Sequence, residues 1–164
     1  MKILWAPWRM KYILGNKPKD CIFCDKIKQN KDQKNYILLR GEKCFVMLNL
    51  YPYNAGHLLI APYRHCISLS ELDKETANEL MSLIIKSSQL IQEVMKPAAL
   101  NIGMNLGQAA GAGEEHIHVH LVPRWTGDSN FMPIIAETRV IPELLDHTYS
   151  KLLTALKGNK EEAG

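Results

Sequence analysis

EEHIHVHLVPRW, residues 114 to 125, sets three of the chain's six histidines, His116, His118 and His120, in strict alternation with Ile117, Val119 and Leu121. Side chains of a strand alternate between its two faces, so the spacing predicts a strand over HIHVHLV, 116 to 122. The aliphatic residues then face a core and the imidazoles share the other face. Burying an imidazole without a partner costs about 1 to 3 kcal/mol, so the histidine face is expected to line a polar site. Neighbouring rings stand about 6 to 7 Å apart along such a strand, a spacing suited to one polyanionic or metallic guest. Just upstream, GQAAGAG (107 to 113) supplies small residues whose backbone N–H groups can approach a phosphate closely.

Working outward, KCFVMLNL (43 to 50) and HLLIAP (57 to 62) read as strands joined through YPYNAG, most simply as a hairpin. From Ser70 to Lys96 the apolar residues Leu72, Leu80, Ile84, Ile91 and Met95 recur at helical spacing, with Ser70 and Asp73 as a cap and Pro97 as the stop. LNIGMN (100 to 105) is a further expected strand, GQAAGAGEE a loop, and residues 142 to 156 a final amphipathic helix. Mixed strands around one long helix give an α+β class. Length fits one domain over 1 to 164, with a tryptophan-containing arm at 1 to 20 and a flexible tail from 158. The WAPWR segment of the arm is expected to pack over its own domain or across a dimer.

A net charge of +3 gives no electrostatic case for nucleic acid or a membrane surface. No segment approaches the roughly 20 apolar residues of a membrane span, and Pro7, Arg9 and Lys11 interrupt any signal-peptide core. A cytoplasmic location follows as the expectation. There, Cys21 and Cys24, in C-x-x-C spacing, favour metal or redox chemistry over a disulfide. Cys44 and Cys66 read as core thiols and His147 as a surface residue.

HIHVHLV matches the signature His-φ-His-φ-His-φ-φ, with φ apolar, and so resembles the histidine-triad family. NAGHLLIAP (54 to 62), NIGMNLGQAAGAG (101 to 113), WAPWR and PRWTGDSNFMP (123 to 133) are similar to its bacterial branch related to diadenosine tetraphosphate phosphorylase. The resemblance covers most of positions 4 to 145. It implies a mainly antiparallel sheet with one long helix and a C-terminal helix, and a homodimer in which two sheets join.

The resemblance also assigns roles. His118 becomes a nucleophile toward the α-phosphorus of a nucleotide, giving a nucleotidyl-histidine that phosphate, water or another acceptor resolves. Such attack needs an unprotonated nitrogen, so the other ring nitrogen of His118 should donate to a carbonyl or carboxyl group. His120 is expected to hydrogen-bond phosphate or leaving-group oxygens, with His57 in support. Asn49 stands where relatives contact ribose, and Asn105 where they contact the phosphate region. Gly111, Ala112 and Gly113 form the phosphate-facing loop, although several relatives carry a serine or threonine where this chain has Gly113. Trp125 is expected to cover a base or the rim of the site.

Family members with this C-x-x-C complete a structural zinc site with histidines at the positions of His65 and His116, so Cys21, Cys24, His65 and His116 are the expected ligands. No organic cofactor is expected, and a divalent cation accompanying substrate stays open. The implied activity is cleavage of dinucleoside polyphosphates, with phosphorolysis favoured. A nucleoside phosphoramidase and a nucleotide sensor without turnover remain alternatives.

Overall fold

A computed structural model describes residues 21–128 and 143–161. Expectations for the 1–20 arm, for residues 129–142 and for residues 162–164 lie outside that range. The chain forms α1 (Ile22–Lys28), α2 (Asp32–Asn35), β1 (Ile37–Arg40), β2 (Cys44–Leu48), β3 (Leu58–Pro62), α3 (Lys74–Met95), β4 (Ala99–Gly103), β5 (Val119–Arg124) and α4 (Leu145–Glu161). Five strands make one sheet in the order β1-β2-β3-β5-β4, every neighbouring pair antiparallel. The expected α+β class, the hairpin and the long helix are all present.

The uninterrupted apolar runs of β2 and β3 follow from burial on both faces. Val46, Leu48, Leu58 and Ile60 pack with Val119 and Leu121 of β5 under Leu80, Leu83 and Ile91 of α3 and Tyr149 and Leu152 of α4. Phe45, Met47, Leu59 and Ala61 face the other way, onto Phe23 of α1. That second face carries the histidines. Leu152 is fully buried, so its truncation to alanine should cost about 2 to 5 kcal/mol. Glu79 of α3 accepts the backbone N–H groups of Glu42, Lys43 and Cys44, fixing the β1–β2 turn. A Cβ on Gly41 would lie 2.1 Å from Glu79 Oε1, so a side chain there would push the Glu79 carboxylate off the turn it holds.

Five boundaries differ from expectation. The histidine strand begins at Val119 and runs through Pro123 to Arg124. His116 to His118 precede its ladder, with the Ile117 N–H bonded instead to the Cys66 carbonyl. Ser70 does not cap the long helix. Ser68 and Glu71 close a capping box around a 3₁₀ turn, Leu72 is extended, and Asp73 caps α3 through the Thr76 N–H. The final helix starts at Leu145 rather than 142 and continues to Glu161, so residues 158–161 are helical and not a loose tail. The short elements α1, α2 and β1 are additional to those the sequence announced.

Candidate active site and metal centre

Cys21 caps α1 and Cys24 lies one turn on, which sets both thiols on one side of the helix. That side meets the loop after β3 and the approach to β5. Cys21 Sγ lies 3.2 Å from His116 Nδ1, and Cys24 Sγ lies 3.6 Å from His65 Nδ1 and 3.7 Å from His116 Nδ1. All four ligand atoms fall within 4.8 Å of one another. A tetrahedral zinc with ordinary bond lengths separates such donors by about 3.3 to 3.8 Å, so the cluster fits the ion. The His116 Nε2–H donates to the Pro62 carbonyl at 3.0 Å, which leaves the Nδ1 lone pair facing the thiols. Burial pushes the Cys21 thiol up to about 11 and His116 down to about 4. A cation at the centre would reverse the balance at sulfur by stabilising the thiolate.

The three triad rings therefore do not surround a single guest. His116 belongs to the cysteine cluster, and His118 and His120 face a different neighbourhood. His118 Nδ1–H donates to the His116 carbonyl at 2.7 Å, so its lone pair sits on Nε2, as attack on phosphorus requires. Phe23, between the two cysteines, packs against both rings, with centroids 5.0 Å from His118 and 5.3 Å from His116.

His120 has the opposite tautomer, and the reason begins at a backbone amide. The Tyr53 N–H, which can only donate, points at His57 Nδ1 at 3.0 Å, and the Asn49 amide nitrogen lies 3.2 Å from the same atom. His57 must then carry its proton on Nε2. That proton goes to His120 Nδ1 at 2.9 Å, which places the proton of His120 on Nε2. Burial first, then the neighbouring histidines, lowers His57 to about 3 and His120 to about 4, so both rings are neutral near pH 7. His118 thus offers a lone pair and His120 an N–H, with centroids 4.7 Å apart. Among the described residues no buried side-chain nitrogen or oxygen lacks a hydrogen-bond partner, which meets the desolvation demand raised by the sequence.

A cleft of about 380 Å³ opens beside His120, walled by Tyr53, Asn101, Asn105 and Arg124. A larger hollow of about 570 Å³ between Lys31 and Asp146 lies among charged surface side chains and contains none of the histidines. Asn105 lies among the residues that wall the cleft, and the Asn49 side chain bonds His57 and the Tyr51 N–H. In the glycine-rich loop the N–H groups of Gly111 and Ala112 donate to the Gln108 and Gly107 carbonyls at 2.9 and 3.3 Å. Gly113 has open space around its Cβ position. Trp125 follows β5, with its N–H on Asp128, and is not among the residues that wall the cleft. Cys44 and Cys66 are buried and His147 is exposed, as read from the sequence. Phe23 and Tyr53 were not foreseen. A large apolar residue inside a C-x-x-C pair is the one signal that marked the first, while Tyr53, whose N–H holds His57 and whose ring stacks on His120 with centroids 5.7 Å apart, lies in a turn with no pattern to mark it.

The sequence and the fold have counterparts among known proteins. The chain is 39% identical over 160 residues to AP-4-A phosphorylase of Mycobacterium tuberculosis, covering 92% of this chain and 82% of that protein. It is 30% identical over 129 residues to the asymmetrical bis(5'-nucleosyl)-tetraphosphatase of Schizosaccharomyces pombe, covering 78% of this chain and 68% of the relative. In structure it resembles a zinc-bound histidine triad family protein from Mycobacterium smegmatis, with a TM-score of 0.70 over 87% of this chain and 97% of that one at 24% identity, a likeness of fold. The HIT domain model matches residues 30–127, and with the triad in place the chain belongs to the HIT domain family.

Proposed function

We propose that this enzyme cleaves dinucleoside polyphosphates, diadenosine tetraphosphate foremost, through a nucleotide covalently held on His118. Two of its relatives act on substrates of this class by their names. The observation that carries the mechanism is the pair of opposed tautomers, a lone pair at His118 Nε2 beside an N–H at His120 Nε2. The His118 nitrogen attacks the α-phosphorus, the N–P bond forms, and the bond to the bridging oxygen breaks. ATP departs, its new terminal oxygen stabilised by the His120 N–H. An oxygen of inorganic phosphate then attacks the same phosphorus, the N–P bond breaks, and ADP leaves. Water in place of phosphate gives AMP.

Cys21, Cys24, His65 and His116 would hold zinc as a structural ion, since four protein ligands leave no open position for a reactant. The group fastens α1 beneath the residues that carry His118. β4 is a sheet edge with four of its five residues exposed, and a homodimer joining two such edges is proposed; a monomer by light scattering would count against it. Among the described residues no helix is long and apolar enough to cross a membrane, in keeping with a cytoplasmic enzyme.

Incubation with diadenosine tetraphosphate, with and without inorganic phosphate, followed by anion-exchange chromatography, tests the reaction. ATP plus ADP formed only with phosphate is the expected result. AMP plus ATP in its absence would make the enzyme a hydrolase, and no turnover in either condition would overturn the substrate assignment. A radiolabelled, acid-labile nucleotidyl-protein that disappears in His118→Asn tests the intermediate.

A further inference from the structure

We propose that Asn54 is a positioning residue that fastens the loop before His57 to β5 and thereby sets the tautomers of His57 and His120. The proposal rests on reading the His120 N–H as the group that meets the leaving oxygen. Asn54 is buried, and both protons of its amide nitrogen are placed: one on the Pro123 carbonyl at 3.0 Å, the other on Asp128 Oδ2 at 2.7 Å. Pairing of β5 with β3 ends at Leu121. Two residues later the Pro123 carbonyl meets the Asn54 amide rather than a strand. Asp128 is itself immobilised by Arg124 Nε at 2.6 Å, Arg124 Nη2 at 2.7 Å and the Trp125 N–H at 3.1 Å. Arg124 Nη1 extends the clamp to Asn101 of β4 at 2.8 Å.

The other side of the same residue holds His57. The Asn54 carbonyl accepts the His57 backbone N–H at 3.2 Å, and the preceding amide, Tyr53 N–H, holds the His57 ring. At Gly56, with φ +76°, a Cβ would lie 2.4 Å from Met95 Sδ and 3.1 Å from Pro123 Cγ, so the turn is seated against β5 and the end of α3. One side chain thus ties the shorter of the two donors that select the His57 tautomer, Tyr53 N–H at 3.0 Å against the Asn49 amide at 3.2 Å, to the strand that carries His120.

The consequence is chemical. If the Tyr53 N–H withdrew, the Asn49 amide nitrogen at 3.2 Å would be left as the second donor to His57 Nδ1, and once the loop shift carried that contact away as well the proton of His57 would be free to sit on Nδ1, with Nε2 becoming an acceptor. His120 would then donate from Nδ1 and present a lone pair to the departing oxygen. Both rings would stay neutral, but the donor beside His118 would be gone.

The test uses full-length protein labelled with ¹⁵N at histidine, with ring tautomers read from long-range ¹H–¹⁵N correlations at neutral pH, without substrate. Wild type should show His57 and His120 protonated at Nε2 and His118 at Nδ1. Asn54→Asp removes both donors and sets a carboxylate against Asp128. It should move His57 and His120 toward Nδ1 protonation, leave His118 unchanged, and lower kcat about tenfold or more with KM altered far less. Asp128→Ala, which keeps the Pro123 bond, should shift the same two rings less, and it decides the matter if Asn54→Asp does not fold. Wild-type tautomers in a folded Asn54 variant would overturn the proposal, as would His57 protonated at Nδ1 in the wild type. Because tautomers are read without turnover, a failure of the proposed reaction appears separately, as wild-type protein with the stated tautomers and no product from diadenosine tetraphosphate.

Discussion

His116 and His120 stand four residues apart in one segment and do opposite things with the same ring. His116 gives its proton to a carbonyl of β3 and turns a lone pair on two thiols. His120 accepts a hydrogen bond from the His57 N–H and turns its own N–H toward the cleft. Neither residue type nor alternation distinguishes them. The difference lies behind each ring: α1 and the loop after β3 at one end, the loop before His57 at the other. An imidazole acquires its role from whatever occupies its far nitrogen.

The division can be broken at either end, and His118, between them, should give the largest effect. His118→Asn is expected to lower kcat by at least about 10³-fold, the scale on which loss of a covalent nucleophile is felt, with metal content unchanged. Next, His57→Gln should cost about 10²-fold in kcat, as removal of a proton-handling partner does, again with the metal retained. Cys21→Ser should do the reverse. Metal analysis should fall from near one equivalent per chain to none, and Tm should fall by roughly 10 °C, at about 3 °C per kcal/mol for a chain of this size, while kcat drops less than tenfold. Equal activity losses in His57→Gln and Cys21→Ser would erase the distinction between the two ends.

Acid sharpens it. Burial holds His57 at about 3 and His120 at about 4, against about 6.5 in the unfolded chain. As pH falls from about 6.5 toward 4, the unfolded chain takes up protons that the folded chain refuses, so stability declines over that window, and these rings contribute no slope above it. Denaturation midpoints measured between pH 7 and 5 should fall less steeply in His57→Gln; an unchanged slope would mean that burial is not what keeps the ring neutral. The smallest effect belongs to Asp73→Ala. Loss of the α3 cap should cost about 1 kcal/mol, seen in urea titrations, and leave both metal content and kcat alone.

Much of this was legible. The apolar runs of β2 and β3 and the spacing of α3 are strong because each is a long element with a buried face. The histidine alternation correctly separated Val119 and Leu121 from the rings. Sequence could not place the strand boundary, because Ile117 pairs with Cys66, a partner distant in the chain. Nor could it keep Pro123 within β5: proline reads as a strand end, but beyond Leu121 the strand pairs only with β4. Ser70 lost to Asp73 because two capping patterns overlap within six residues, and the extended Leu72 decides between them. β1 has only four residues and no alternation to announce it. The metal ligands were named through family likeness, since spacing alone offers the two cysteines and no histidine. Asn54 was hidden for a related reason. Its function depends on Pro123 and Asp128, 69 and 74 residues away.

The same long separations give the cysteine cluster a place in time. Cys24 and His65 are 41 residues apart, and Cys21 and His116 are 95. Closing such loops carries an entropic cost that only non-local pairing recovers. During synthesis the two cysteines emerge together, then His65, and His116 only after β1 to β4. A tetrahedral ligand set therefore exists only once the approach to β5 has docked between β3 and α1. Metal bound by all four ligands would therefore be taken up late in folding, and such an ion would act as a latch that closes on a finished sheet rather than a nucleus around which one grows.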